Sequence, residues 1–321
     1  MTAPLGQIKS EIVSIPADGW TLHGMVHLPS EFSGKRVGVI LLHENFNTKF
    51  GTHRLFKDLG DRLAQAGFLA LRYDDRGMCD SPGIRDLTIA DRLADARASV
   101  NFFRMRYKLD ALIGWGLCLG AAIAVHTSAS HNPNERLDGL MLCSIVADPG
   151  IVSLPQYGYE RVEISKVAQE FFLRGNLLHK LLNAPRSLKS WSRKLGVLAR
   201  RYLRPAPKEL ARMKETIGKV GKLLARYEGP CVLVFGDKDS YLADFVERVN
   251  PGDKLGLTKK KFPPRQILIK DGDHTFSSRE KTEELFQITL DWVGPFLLGE
   301  LPPQLDIVRE GSVGTSVAEA I

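Results

Sequence analysis

The chain opens with two stretches in which apolar and polar residues alternate, "EIVSI" and "TLHGMVHL", separated by "PADGW". Alternation at a period of two predicts strands, and an Asp-Gly turn between them predicts an antiparallel hairpin. The pattern then changes. "RVGVILLHE" is a continuous run of β-branched residues and leucine, which predicts a strand covered on both faces, as in a parallel sheet. "HRLFKDLGDRLAQAG" has apolar residues at helical spacing and a glycine stop, so a helix follows. Strand "FLALRYD", helix "TIADRLADARASVNFFRMRY", strand "ALIGWG", helix "GAAIAVHTSAS" and strand "LDGLMLCSIV" continue the series. Strands separated by helices predict a parallel sheet with right-handed crossovers.

After Pro149 this rhythm stops. Residues 151–228 carry helical patterns ("SKVAQEFFLRGNLLHKLL", "SLKSWSRKLGVLARRYL", "KELARMKETIGKVGKLLARY") and no strand pattern, with "RPAP" as a breaker, which predicts an inserted helical cap. The sheet pattern resumes with "PCVLVFGDKD", a short helix near "LADFVERV", strand "RQILIKDGDH" and a closing helix "KTEELFQITLDWVGPFLL". The expected organisation is a core of residues 1–150 and 229–299, a cap of 151–228, and a small, polar, flexible tail over 300–321.

Composition adds where the charge lies. The 321 residues are 44% hydrophobic and 25% charged, which are globular proportions. Between Ile151 and Glu228 there are 17 Lys and Arg against 6 Asp and Glu, an excess of +11 that leaves −4 for the rest of a chain whose net charge is +7. Such a segment could attract an anionic substrate, an acidic partner or a membrane surface, or could simply solvate the faces of amphipathic helices. No aromatic interleaving or nucleic-acid motif accompanies it, so no DNA or RNA partner is expected. The absence of a signal-peptide pattern and of an apolar run near the roughly 18 residues of a membrane span predicts a cytosolic protein without an integral membrane segment. The four cysteines, Cys79, Cys118, Cys143 and Cys231, are far apart and form no CxxC pair. Neither a disulfide framework nor a metal site is expected, and free thiols fit a reducing compartment.

The candidate chemistry lies in "GWGLCLGAA", residues 114–122. Gly116 and Gly120 stand two before and two after Cys118. That spacing suits a nucleophile elbow, in which the central residue is strained and larger flanking residues would collide across the turn. The turn would lift the side chain above the strand ends, aim the Leu119 N–H at the same point, and set the sulfur at a helix N-terminus, where partial positive charge favours an anion. "VFGDKDS" ends the first strand after the cap, making Asp239 the candidate acid and Asp237 the lesser candidate. "GDHTF" follows the last strand and places His274 in the final loop. Nucleophile, acid and histidine thus occur in the chain order expected of an elbow of this kind. Taken singly, a glycine-flanked cysteine can be a buried residue of a tight turn, a loop histidine a surface residue, and an aspartate after a strand a cap.

These motifs resemble the α/β-hydrolase superfamily and, within it, the dienelactone hydrolase family: "GLCLGAAIA" is similar to that family's cysteine elbow, alongside "GDHTF" and "LLHENF". The resemblance implies an α/β-hydrolase fold, no cofactor, and a triad of Cys118, Asp239 and His274. It also implies that Glu44 contacts the resting cysteine; a helix-side salt bridge is the alternative for that residue. Two features depart from the small dienelactone hydrolases. "YDDRGMCDSPG" resembles the D-x-R-G-x-G-x-S stretch of the wider superfamily, where Arg76 and Gly77 would shape a loop beside the site. The cap is the second, and its "QEFFLRGNLLHKLL" and "SWSRKL" are similar to exosortase-associated hydrolases and serine-aminopeptidase-like lysophospholipases.

The implied activity is that of a carboxylic ester hydrolase acting on a small ester, lactone or thioester through an acyl-cysteine. Leu119 and Asn45 would supply the backbone donors of the oxyanion hole. An acyltransferase on the same site, or a non-catalytic protein whose basic cap docks an acidic partner, are the alternatives. Thiolate chemistry favours activated esters over amides, because the tetrahedral intermediate expels a thiolate in preference to an amine anion.

Overall fold

The computed structural model describes residues 9–32, 34–44, 47–83, 87–148 and 208–302. The first two predicted cap helices, the tail beyond 302 and Asn45 lie outside the described residues. Contacts divide the chain into one unit of Met1–Asp148 with Thr216–Ile321 and a second of Pro149–Glu215.

The first unit is an α/β-hydrolase fold. Strands β1 (Lys9–Ala17) and β2 (Trp20–Leu28) form the hairpin. Asp18 and Gly19 both take positive φ, 44° and 79°, the requirement of the turn type whose twist matches the strands it joins. Six further strands follow: β3 (Val37–Leu42), β4 (Leu69–Tyr73), β5 (Ala111–Leu117), β6 (Gly139–Cys143), β7 (Cys231–Gly236) and β8 (Arg265–Ile269). The sheet runs β1-β2-β4-β3-β5-β6-β7-β8. The β1–β2 and β2–β4 pairs are antiparallel and every later pair is parallel. Burial follows the sequence pattern. β1 alternates between exposed and buried positions, whereas all residues of β3 and β7 are buried, as expected where helices cover both faces.

Helices α1 (Leu55–Gln65), α2 (Ile89–Tyr107), α3 (Leu119–Ser128), α4 (Lys208–Arg226), the single turn α5 (Ser240–Asp244) and α6 (Arg279–Val293) connect and flank the strands. Thr88 and Asp91 close a reciprocal capping box at the start of α2, which satisfies donors the helix cannot pair internally. The short helix expected near "LADFVERV" begins earlier, at Ser240, because Asp239 caps it. Within the segment read as cap, the part of α4 from Thr216 onward packs on the sheet unit. Ile217, Val220 and Leu224 are buried, and His126 of α3 donates from Nε2 to the Thr216 carbonyl at 2.8 Å. Trp115 fastens β5 to the helical layer: its ring meets Phe56 of α1 edge-on at 5.6 Å, and its Nε1 donates to Thr289 of α6. The strand ends that carry the candidate chemistry therefore rise from a rigid, apolar sheet.

Candidate active site

Two close backbone approaches build the site. At the end of β5, Cys118 takes φ 56° and ψ −118°, a conformation that L-residues with a side chain adopt only when their surroundings enforce it. The enforcing contacts are at its glycine flanks. A Cβ on Gly116 would stand 2.5 Å from the Ala121 nitrogen, and one on Gly120 would stand 1.9 Å from the Leu42 carbonyl oxygen. Leu119 is the first residue of α3, so its N–H belongs to the turn whose amides have no acceptor within the helix. The second approach joins the ends of β7 and β8. A Cβ on Gly236 would stand 2.1 Å from the Gly272 carbonyl oxygen, and Lys238 N–H donates to that same oxygen. This brings the loop holding Asp239 against the loop holding His274.

His274 Nδ1 lies 3.1 and 3.2 Å from the two Asp239 carboxylate oxygens, and the Cys118 side chain is near enough to the imidazole to favour its charged form. With Nδ1 turned to the carboxylate, Nε2 is the nitrogen left for sulfur. Asp239 is buried and also accepts from the Tyr241 N–H at 3.0 Å, while Asp237 is exposed. Burial of His274 disfavours its charge, but hydrogen bonds to Asp239 and then Cys118 override that effect and raise its pKa to about 10. The Tyr241 ring packs edge-to-face against the imidazole with 4.4 Å between centroids. Cys118, His274 and Asp239 are thus brought together in one chain of contacts.

Glu44 follows β3. Its Oε1 accepts from Asn47 and from Thr52, and its buried Oε2 has no hydrogen-bond partner among the described residues. Arg76 donates from Nε and Nη2 to Asp95 at 2.7 and 2.5 Å. Gly83 approaches Gly77 so closely that a Cβ would lie 2.7 Å from its nitrogen. Asp74, Cys79 and Asp80 offer ligand atoms within 4.8 Å of one another, but the Lys49 ammonium bonds both carboxylates, at 2.5 Å from Asp74. A lysine already occupies the place a cation would take. Two features carry no signal in local spacing: the Tyr241 ring on His274, and a buried pair, Asp75 and Arg92, behind the end of β3.

A sheet of this order, with an elbow after β5 and a histidine after β8, defines an α/β hydrolase. Residues 50–244 match the family described as Serine aminopeptidase, S33. They are more than half of the chain, and the chain belongs to that family. Where the family's description names serine, Cys118 stands at the elbow of this chain. No curated protein matches in sequence. Solved structures with the same fold include the esterase Pf2001 of Pyrococcus furiosus (15% identity, TM-score 0.55, covering 89% of this chain and 92% of the esterase). Another is Est1E of Butyrivibrio proteoclasticus with ferulic acid bound (16%, 0.56, 88% and 99%). A third is a dienelactone hydrolase of Anabaena variabilis (12%, 0.55, 92% and 100%). At these identities the likeness is one of fold. No helix among the described residues is long and apolar enough to cross a membrane.

Proposed function

We propose that the protein hydrolyses small carboxylic esters, lactones or thioesters through an acyl-cysteine intermediate. The observation that carries this reading is Cys118 held at a strained strand-to-helix turn beside a histidine that Asp239 contacts. The Cys118 sulfur attacks the carbonyl carbon, and the oxyanion that forms is met by the Leu119 N–H and by the Asn45 N–H. Collapse breaks the bond to the alcohol oxygen, which leaves with a proton from His274. Water then adds to the thioester as His274 takes its proton. Loss of sulfur from that second intermediate releases the acid and restores the resting pair. Asp239 holds the imidazole in the required orientation and stabilises its charge.

The ester bond is favoured over the peptide bond by the leaving-group argument, although the family's description names an aminopeptidase. The esterase Pf2001 among the fold neighbours agrees with this choice without fixing a substrate. A panel of p-nitrophenyl esters, lactones and aminoacyl p-nitroanilides tests it. Turnover of esters or lactones that Cys118→Ala abolishes is the expected result. Turnover confined to anilides, or retained in Cys118→Ala, would refute it.

A further inference from the structure

The proposed base, His274, keeps 33% of its side-chain surface exposed, so close packing on all sides does not fix its ring. Rotation of an imidazole about its last side-chain bond is soft, unlike the staggered torsions of aliphatic chains. A half-turn about that bond would exchange Nδ1 for a carbon and break the contact with Asp239. The hydrogen bond to the carboxylate is one restraint on that motion. At 3.1 and 3.2 Å it is shared between two oxygens and lies at the long end of the usual range.

A second restraint comes from Tyr241, the second residue of α5. Its ring meets the imidazole with centroids 4.4 Å apart and planes at 76°, the T-shaped geometry that aromatic pairs prefer over a face-to-face stack. Its backbone N–H donates to Asp239 Oδ1 at 3.0 Å, and that same oxygen lies 3.1 Å from His274 Nδ1. One residue thus touches the acid through its backbone and the base through its ring, which closes a cycle of contacts among the three. The cycle is fastened to the sheet. Leu242 is buried, and the buried Phe245 that follows α5 packs on Phe235 of β7 with 5.7 Å between centroids. A ring contact also suits a group that must exchange protons. A hydrogen-bonding side chain on Nε2 would compete with sulfur, alcohol and water for that nitrogen, whereas an aromatic ring takes no proton and constrains only the plane.

We propose that Tyr241 is a positioning residue whose ring fixes the plane of the His274 imidazole, keeping Nδ1 on Asp239 and Nε2 available to Cys118. The inference rests on the function proposed above, in which His274 acts as base and then as acid. Tyr241 exchanges no proton and acts through the imidazole alone.

The full chain as wild type, Tyr241→Phe and Tyr241→Leu is compared by hydrolysis of p-nitrophenyl butyrate, by proton NMR of the imidazole and by thermal unfolding. A proton on Nδ1 held by a carboxylate exchanges slowly with water and gives a separate low-field resonance. Wild type and Tyr241→Phe, which keeps the ring, should both show it, with kcat and KM within about twofold of each other. Tyr241→Leu removes the ring and should broaden the resonance into the background. Its kcat should fall about tenfold with KM within about twofold, because misplacing a catalytic group costs rate and not binding. A wild type without the resonance, or a folded Tyr241→Leu that keeps either the resonance or the wild-type kcat, would overturn the proposal. So would a Tyr241→Phe that loses as much as Tyr241→Leu, since the hydroxyl and not the ring would then act. If Tyr241→Leu does not unfold cooperatively, Tyr241→Met decides in its place. The resonance is read without turnover, so a wild type that hydrolyses no ester would refute the function proposed above, and the resonance alone would then decide whether Tyr241 fixes the ring.

Discussion

The interior of the sheet and its carboxyl rim treat the same chemical group in opposite ways. Cys143 and Cys231 lie within β6 and β7, in apolar surroundings that push their thiols well above the usual range, Cys231 to about 12. Cys118 lies one residue past β5, partly exposed, in a conformation its glycine flanks enforce, against a histidine held by a carboxylate. All three belong to neighbouring parallel strands. A displacement of a few residues along a strand therefore separates an inert packing group from one placed to react. Topology explains why: parallel strands present their carboxyl ends to a common edge, where loops can carry polar groups that the sheet interior excludes.

The largest expected effect tests the rim directly. Cys118→Ala should lower ester turnover by at least about 1000-fold while leaving unfolding nearly unchanged, because the turn depends on Gly116 and Gly120 and not on sulfur. Urea unfolding monitored with activity separates the two outcomes. Gly120→Ala reverses them. Its methyl would overlap backbone of β3 that cannot move independently, so a loss of about 3 kcal/mol or more should appear in the same unfolding curves.

Asp239→Asn comes next. Turnover should fall about 100-fold or more, and the His274 pKa, read from its ring resonances in NMR, should drop from about 10 toward the ordinary value of 6.5. Since the folded value lies above the unfolded one, His274 stabilises the fold fully below about pH 6.5, and this contribution disappears as pH rises through 10. The stability difference between wild type and Asp239→Asn should therefore shrink across that window. A constant difference would mean that the imidazole is not held charged by Asp239.

Alkylation sharpens the contrast among thiols. In native protein iodoacetamide should label Cys118 at least about tenfold faster than Cys143 or Cys231, and unfolding in urea should bring the rates together. Exposed Cys79 is the internal control, since burial and then Asp74 raise its pKa despite its accessibility. The smallest effect concerns the basic segment. If residues 151–228 steer anionic substrates, kcat/KM for a carboxylate-bearing ester should fall a fewfold between roughly 0.01 and 0.5 M salt, while a neutral ester changes little. Parallel responses would return that charge to the role of solvated helix faces.

Much of this was legible in the order of residues. The hairpin, the alternation of strands with helices and the resumption of the sheet after the insertion all follow from periodicity, because local burial imposes it. The elbow was legible because steric exclusion leaves only small residues at Gly116 and Gly120. Other parts were not, since they arise from meetings between distant segments. The choice between Asp237 and Asp239 depends on how Gly236 approaches Gly272, 36 positions away. The grip of Arg92 on the end of β3 spans 49 residues, and the meeting of Tyr241 with His274 depends on where α5 begins. Sequence spacing encodes neighbours along one element and says little about neighbours across the fold.

The central claim is that Cys118 forms a covalent acyl-enzyme. Rapid mixing with excess p-nitrophenyl butyrate, acid quench and intact mass measurement tests it, followed by peptide mapping and treatment with hydroxylamine. A single butyryl addition on the peptide carrying Cys118, released by hydroxylamine and formed as fast as the first p-nitrophenol, is the predicted result. Steady hydrolysis with no adduct on Cys118 under conditions that trap the intermediate, or an adduct on another residue that persists in Cys118→Ala, would contradict it.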